Sequence, residues 1–271
     1  MQFSTSEIFV KTAVEIYKLL PKTNCGKCGT TSCFGFAAKL ATNQASPDDC
    51  PAMAPAAREA LRQSGGAKPD SPGTVYEQAL ESLKPRVRML DFAKTAKLFG
   101  AKLLTGNSLE ISFLNEVYTV TDNKITDQAG REPRPWISIL IYNHLCMPAP
   151  PPPAGEWITF SSVPASHAKD KAWAGHVEEV IARHFSGNVE GLRSACAKAG
   201  GVPSSVKGTH DAGFEFRFFP HYPALLLFYD AVEEENFPAQ CKLLLDSTAP
   251  RYLDIESMVV LAEEFAARLT A

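Results

Sequence analysis

Residues 20–51 read "LPKTNCGKCGTTSCFGFAAKLATNQASPDDCP" and hold four of the chain's seven cysteines. The spacing is Cys-x2-Cys-x4-Cys-x16-Cys, at Cys25, Cys28, Cys33 and Cys50. Three thiols from one tight loop and a fourth from a returning segment is how a chain wraps a cuboidal [4Fe–4S] cluster, with the remote cysteine closing the corner opposite the loop. Gly26 and Gly29 each follow a cysteine, where the backbone turns tightly and its N–H groups approach cluster sulfides with no Cβ in the way. Pro51 follows the last cysteine, as a proline does in ferredoxin ligand runs. Lys22, Lys27 and Lys39 lie close in sequence and offset the negative charge of four thiolates around such a core. The alternative is a structural zinc site, which also takes four thiolates but usually pairs two Cys-x2-Cys knuckles.

Working outward, Phe9, Ala13, Ile16, Tyr17 and Leu20 recur at helical spacing over residues 6–20 and stop at Pro21. A second helix is expected from about Ser32 to Asn43, carrying Phe34, Phe36, Ala37 and Leu40, and a third from about Ala52 to Gln63. Three short helices in about 60 residues bury too little apolar surface to fold securely alone, so a bound inorganic centre would serve as their core. "SGGAKPDSPG", residues 64–73, has the composition of a linker. The expected organisation is a cluster domain over 1–63, a linker over 64–73 and a second domain over 74–271.

The second domain reads as helices over Val75 to Leu83 and Val87 to Leu98. An antiparallel meander follows in "LEISFLNEVYTVTDNKITD", turning at Asn-Glu and Asp-Asn, and then a helix over 135–147. "CMPAPPPPAGEW" contains four successive prolines and reads as a stiff extended connection. "EWITF" is expected as a strand, His167 to Phe185 and Val189 to Ala199 as helices, and "GFEFRFF", "ALLLFYDAV" and "CKLLLD" as strands. Asp254 is placed to cap a last helix with Met258, Leu261, Phe265 and Leu269 on one face. Strands arranged as hairpins, without regular strand–helix alternation, predict an α+β fold: a small helical [4Fe–4S] domain, then a larger domain with a mostly antiparallel sheet flanked by helices.

Composition excludes several functions. A net charge of -3 over 271 residues and a pI near 6.1 give no global basic field for nucleic acid or an anionic membrane. The longest apolar runs, "ISILIY" and "ALLLF", are too short to span a bilayer. The first residues lack the basic start and apolar run of a secretion signal, and an odd cysteine count argues against a disulfide framework, so a cytoplasmic location is expected. No phosphate-loop, dinucleotide, zincin or nucleophile-elbow motif occurs, and no nucleophile–base pair can be named. Whether the chain is an enzyme is left open, with an electron-transfer or accessory protein favoured over a stand-alone catalyst.

The quoted stretch resembles the [4Fe–4S] domain at the N-terminus of the large subunit of the corrinoid iron–sulfur protein, and of the related archaeal decarbonylase/synthase subunit. The B subunit of the Rnf electron-transport complex carries a similar module. The resemblance covers residues 16–55 and places all four cysteines, Asn24, both loop glycines, Phe36-Ala37 and Pro51 where the family pattern has them. It implies a low-potential one-electron centre ligated by Cys25, Cys28, Cys33 and Cys50. In the corrinoid protein such a centre reductively reactivates cobalt. That subunit continues into a barrel and a cobalamin domain, for which this chain is too short. Residues 74–271 instead resemble a domain that recurs behind such modules in anaerobes, through "EWITF", "LFYDA", "LLLDSTAPRYL" and "DIES". That second resemblance brings no assigned activity.

Three readings of function follow. The first is one-electron transfer to a redox protein partner in anaerobic metabolism. The second is an enzyme or chaperone-like activator whose second domain binds a corrinoid or another tetrapyrrole such as haem, with the cluster reducing its metal; a corrinoid protein is a candidate redox partner. The third is a scaffold with a structural cluster. For the second, His176 and His184 fall eight apart on one expected helix, and "GTHDAG" supplies His210-x-x-Gly213, the back half of a cobalt-ligand signature in which Gly208 stands where Asp is required. Cys146, Cys196 and Cys241 read as structural thiols, and His144 lies too near Cys146 to share a helix face with it. Glu233, Glu234 and Glu235 read as a solvated turn. "FEFRFFPHYPALLLFY" reads as strand core, against which a flat cofactor could also rest.

Overall fold

The computed structural model describes residues 13–23, 25–30, 32–41, 45–63, 72–104 and 107–271. It divides into two compact units, Met1–Glu77 and Gln78–Ala271. The expected start of the first helix before Ala13, the end of the second at Asn43, and residues 64–71 of the expected linker lie outside the described residues.

The first unit holds α1 (Ala13–Leu19), α2 (Cys33–Ala41) and α3 (Pro55–Gln63). Ser32 starts α2: its hydroxyl accepts from the Gly35 N–H at 3.0 Å and its carbonyl from the Phe36 N–H at 3.0 Å. Ile16, Leu20, Phe36, Ala37, Leu40, Met53 and Leu61 form the small core, and Cys33 and Cys50 are part of it. A short 3-10 turn at Pro47–Asp49 leads into Cys50. It is held by a reciprocal cap in which Ser46 accepts from the Asp48 N–H at 3.2 Å and the Asp49 carboxylate accepts from the Ser46 N–H at 2.7 Å.

Helix α4 (Pro72–Arg88) carries Pro85 in its interior and runs past the break expected at 84–86. Proline there forfeits one helical hydrogen bond, whereas the chain actually turns where Asp91 caps α5 (Phe92–Phe99) by accepting from the Lys94 N–H at 3.0 Å. The meander forms as expected, from β1 (Lys102–Leu103), β2 (Ser108–Phe113), β3 (Glu116–Thr121) and β4 (Ile125–Asp127), antiparallel in sequence order. Its first tight turn is Leu114-Asn115, one residue earlier than expected, with both residues at positive φ.

Helix α6 (Pro135–Leu145) precedes the proline strap. Only Trp157–Ile158 of "EWITF" pairs as β5, against Leu245 and Asp246, because Thr159, Ser161 and Ser162 then link hydroxyls into a 3-10 turn. The helix expected over 167–185 is broken into α7 (Asp170–Trp173), a π-helical turn at Ala174–Glu178, and α8 (Glu179–Phe185). Helix α9 (Val189–Lys198) is followed by β6 (Val202–Pro203), β7 (Ala212–Phe219), β8 (Tyr222–Tyr229), β9 (Gln240–Asp246) and α10 (Ile255–Leu269). The second sheet has the order β5-β9-β8-β7-β6 and is antiparallel throughout. The fold is thus α+β, with two antiparallel sheets and a helical first unit.

The aromatic run is the centre of the large core. Phe214, Phe216, Phe218, Phe219, Tyr222 and Phe228 are all buried, and Phe216 and Phe218 each lie 4.7 Å, ring to ring, from Phe265 of α10. Asp254 caps α10 by accepting from the Ser257 N–H at 2.9 Å. The Asp246 carboxylate, at the end of β9, fastens the proline strap. It accepts from the Ala154 and Gly155 N–H groups at 3.1 and 2.7 Å, and from Thr248 N–H and hydroxyl at 2.9 and 2.5 Å. Tyr252 adds a bond from its hydroxyl to the Pro151 carbonyl at 2.6 Å. Among the described residues no helix is long and apolar enough to cross a membrane.

Candidate metal centre

The four cysteines of the opening stretch all fall in the first unit. Gly26 and Gly29 have φ of 72° and 75°, and the Gly29 N–H donates to the Gly26 carbonyl at 3.0 Å, closing a turn around Lys27 and Cys28. A Cβ at either glycine would sit in a left-handed backbone, which is why the loop places glycine after a cysteine twice. Cys25 is exposed, Cys28 is half-buried against the core, and Cys33 and Cys50 are buried in it. Cys33 is the first residue of α2.

Polar contacts organise both arms. Cys28 Sγ and Thr30 Oγ1 are 3.1 Å apart, and Thr30 Oγ1 donates to the Ser32 carbonyl at 3.3 Å, tying the loop to the start of α2. The Cys25 thiol is held below its ordinary pKa, chiefly by the Lys27 backbone N–H and then by the Thr23 hydroxyl. On the return segment, Arg58 of α3 donates from Nη2 to the Cys50 carbonyl at 2.9 Å and to the Met53 carbonyl at 3.4 Å. Asp48, two residues before Cys50, is bonded to Arg62 at 2.5 Å and lies 3.7 Å from Arg58. Sequence reasoning missed Arg58, because a contact eight residues away across a turn leaves no periodic signal; it placed the start of the second helix at about Ser32 but not that residue's capping bond.

No disulfide joins any of the seven cysteines. In kind and number the thiols of the first unit fit a four-cysteine iron–sulfur centre. Among the described residues, no three or more His, Cys, Asp or Glu side chains stand close enough together to hold a metal. Cys28, Cys33 and Cys50 each pack on the small core of the first unit, and Cys25 is exposed.

The remaining candidates have other partners. Burial pushes the thiols of Cys146 and Cys241 up and that of Cys196 up to about 12, so these three stay protonated at neutral pH. His144 is fully buried, stacked on Phe219 with ring centroids 3.8 Å apart, its Nδ1 3.3 Å from the Tyr252 carbonyl. His176 lies 2.7 Å from the Glu263 carboxylate, and His167 lies 3.5 Å from Asp170. His210 is folded against its own loop: Cβ atoms at Gly208 and Gly213 would each stand 2.9 Å from its ring, so those glycines make room for the imidazole.

The chain is thus a small helical unit that carries four cysteines, followed by an α+β unit. Residues 20–52 match the family described as "Putative Fe-S cluster". Residues 91–268 match the family described as "Domain of unknown function (DUF3786)", and the chain belongs to that family. The corrinoid/iron–sulfur protein large subunit of Moorella thermoacetica is 60% identical over 50 residues, 18% of this chain and 11% of that protein. The acetyl-CoA decarbonylase/synthase complex subunit gamma of Methanothermobacter thermautotrophicus is 50% identical over 50 residues, covering the same shares. The gamma subunit of Archaeoglobus fulgidus is 28% identical over 126 residues, 44% of this chain and 25% of that protein. The chain therefore spans between about a tenth and a quarter of the length of these relatives. No solved structure matches the chain.

Proposed function

We propose that this is a cytoplasmic [4Fe–4S] protein of anaerobic metabolism that passes single electrons to a protein partner, with Cys25, Cys28, Cys33 and Cys50 as the cluster ligands. The proposed domains are 1–63 for the cluster and 74–271 for the appended domain, joined by a linker at 64–73 whose last two residues, Pro72 and Gly73, open α4. The observation that carries this reading is the four-cysteine stretch itself. It lies within the iron–sulfur family match, and within 60% identity to a corrinoid/iron–sulfur protein subunit. When bound, the cluster supplies one-electron chemistry; the chain supplies everything around it. Cys33 and Cys50 would hold it from the core, Cys28 from the 26–29 turn and the exposed Cys25 from the start of the loop. Lys22 and Lys27 set local charge, which together with hydrogen bonds to sulfur tunes the potential.

Anaerobic purification followed by iron analysis and reductive titration tests the proposal. One cluster per chain, reduced and reoxidised by one electron, is the expected result. A centre that no low-potential donor reduces would leave the scaffold role in its place.

A further inference from the structure

We infer that the loop face of the first unit is the docking surface for an acidic redox protein; the inference rests on the function just proposed and names the kind of partner. The chain as a whole carries a net charge of -3, yet from Ile16 to Pro47 it has four lysines, Lys18, Lys22, Lys27 and Lys39, and no Asp or Glu. All four lysines are exposed. The first acid beyond them, Asp48, is bonded to Arg62, and Asp49 is taken up by the Ser46 N–H. The segment that holds three of the four cysteines is therefore basic on an acidic chain.

An apolar centre accompanies that charge. Phe34, immediately after Cys33, is 50% exposed, although most large apolar side chains of this unit are buried. Its ring meets Tyr17 edge-on at 5.5 Å, and Lys22 Nζ lies 5.5 Å from the opposite partner's ring centre, over Tyr17. Lysine, tyrosine and phenylalanine thus form one run of contacts, from Lys22, three residues before Cys25, to Phe34, next to Cys33. An exposed aromatic ring rimmed by cations is the composition of a transient protein interface, where the ring gives contact and the charges steer encounter. The complementary surface is apolar at its centre and rimmed by carboxylates. In the transfer itself one electron leaves the reduced carrier, which is oxidised, and enters the cluster, which is reduced; no covalent bond forms or breaks.

The probes are a purified acidic ferredoxin and, as the opposite charge, a basic c-type cytochrome. Binding of each oxidised protein to the full chain is measured first, then the second-order rate of electron transfer from reduced ferredoxin. Steering predicts that ferredoxin binding and rate fall about tenfold or more between about 0.01 M and about 0.15 M ionic strength, as the Debye length shortens from about 30 to about 8 Å. The cytochrome should show the opposite salt dependence. K22E/K27E should lower both ferredoxin signals about tenfold at low salt and flatten their salt dependence, and Phe34→Ser should weaken binding about tenfold at every salt concentration. Lys18→Glu, on the face of α1, gives the same sign if the loop variant loses iron. Unchanged binding and rate in the charge variants would overturn the inference, as would tighter retention of duplex DNA or anionic phospholipid vesicles than of ferredoxin. Absence of iron would overturn the cluster reading instead, and the binding measurement would still decide the docking face.

Discussion

The Arg58 guanidinium donates to the Cys50 carbonyl at 2.9 Å, so helix α3 holds the segment that carries Cys50. Cys50 is otherwise joined to its surroundings by apolar packing and by the Met53 N–H, which donates to the same carbonyl at 3.2 Å. Removing the guanidinium leaves that carbonyl short of a charged donor. Arg58→Ala should cost the first unit about 1–3 kcal/mol and speed loss of iron to a chelator, while Arg58→Lys should recover part of the difference. Chelator-release kinetics on the two variants check this; equal rates in both and in the wild type would remove Arg58 from the site.

The buried ligands should matter for folding as well as for metal. Cys33→Ala and Cys50→Ala each take a thiol from the small core, so both should lose the cluster and loosen the first unit. Cys25→Ala, altering an exposed position, should lose the cluster with less effect on the helices. Iron content and protease sensitivity, measured together, separate the two effects.

Acid should unfold the second unit through His144. Burial holds its pKa down to about 3 against an ordinary value of 6.5. Because the folded value lies below the unfolded one, the neutral ring's contribution is present above pH 6.5 and is lost as pH falls from there toward 3. The loss between pH 7 and pH 5 is about 2 kcal/mol. His144→Phe, which keeps the stack on Phe219, should flatten that stretch of the urea-midpoint profile. A variant profile parallel to wild type would contradict the assignment.

Asp246 should be the most sensitive acidic position of the second unit. Its carboxylate is 1% exposed and accepts four hydrogen bonds from the strap and from Thr248. Asp246→Ala should cost about 3 kcal/mol or more, and Asp246→Asn less, since one oxygen remains as acceptor. Proteolysis of the 150–155 strap should accelerate in the alanine variant.

Features written in local pattern were legible: the Asp254 cap, the meander between turn pairs, the alternating Phe214, Phe216 and Phe218, and the four cysteines with their glycines. The π turn was not. Trp173, Val177, Ile181 and Phe185 are all buried at a spacing of four, which in a straight α-helix would rotate each residue about 40° past the last. Widening one turn at Ala174–Glu178 returns them to a common face, a correction set by packing against the sheet and α10 rather than by any residue preference. Pro85 misled in the opposite sense, since one lost hydrogen bond did not outweigh the cap supplied six residues later by Asp91. The role of Arg58 was hidden because it depends on where α3 comes to rest.

Metal analysis of oxygen-protected protein, paired with an electron paramagnetic resonance spectrum after reduction, bears most directly on the four-cysteine centre. About four irons per chain and a signal that appears on one-electron reduction are predicted. One zinc per chain with no iron, or iron that survives replacement of Cys50 by alanine, would contradict it.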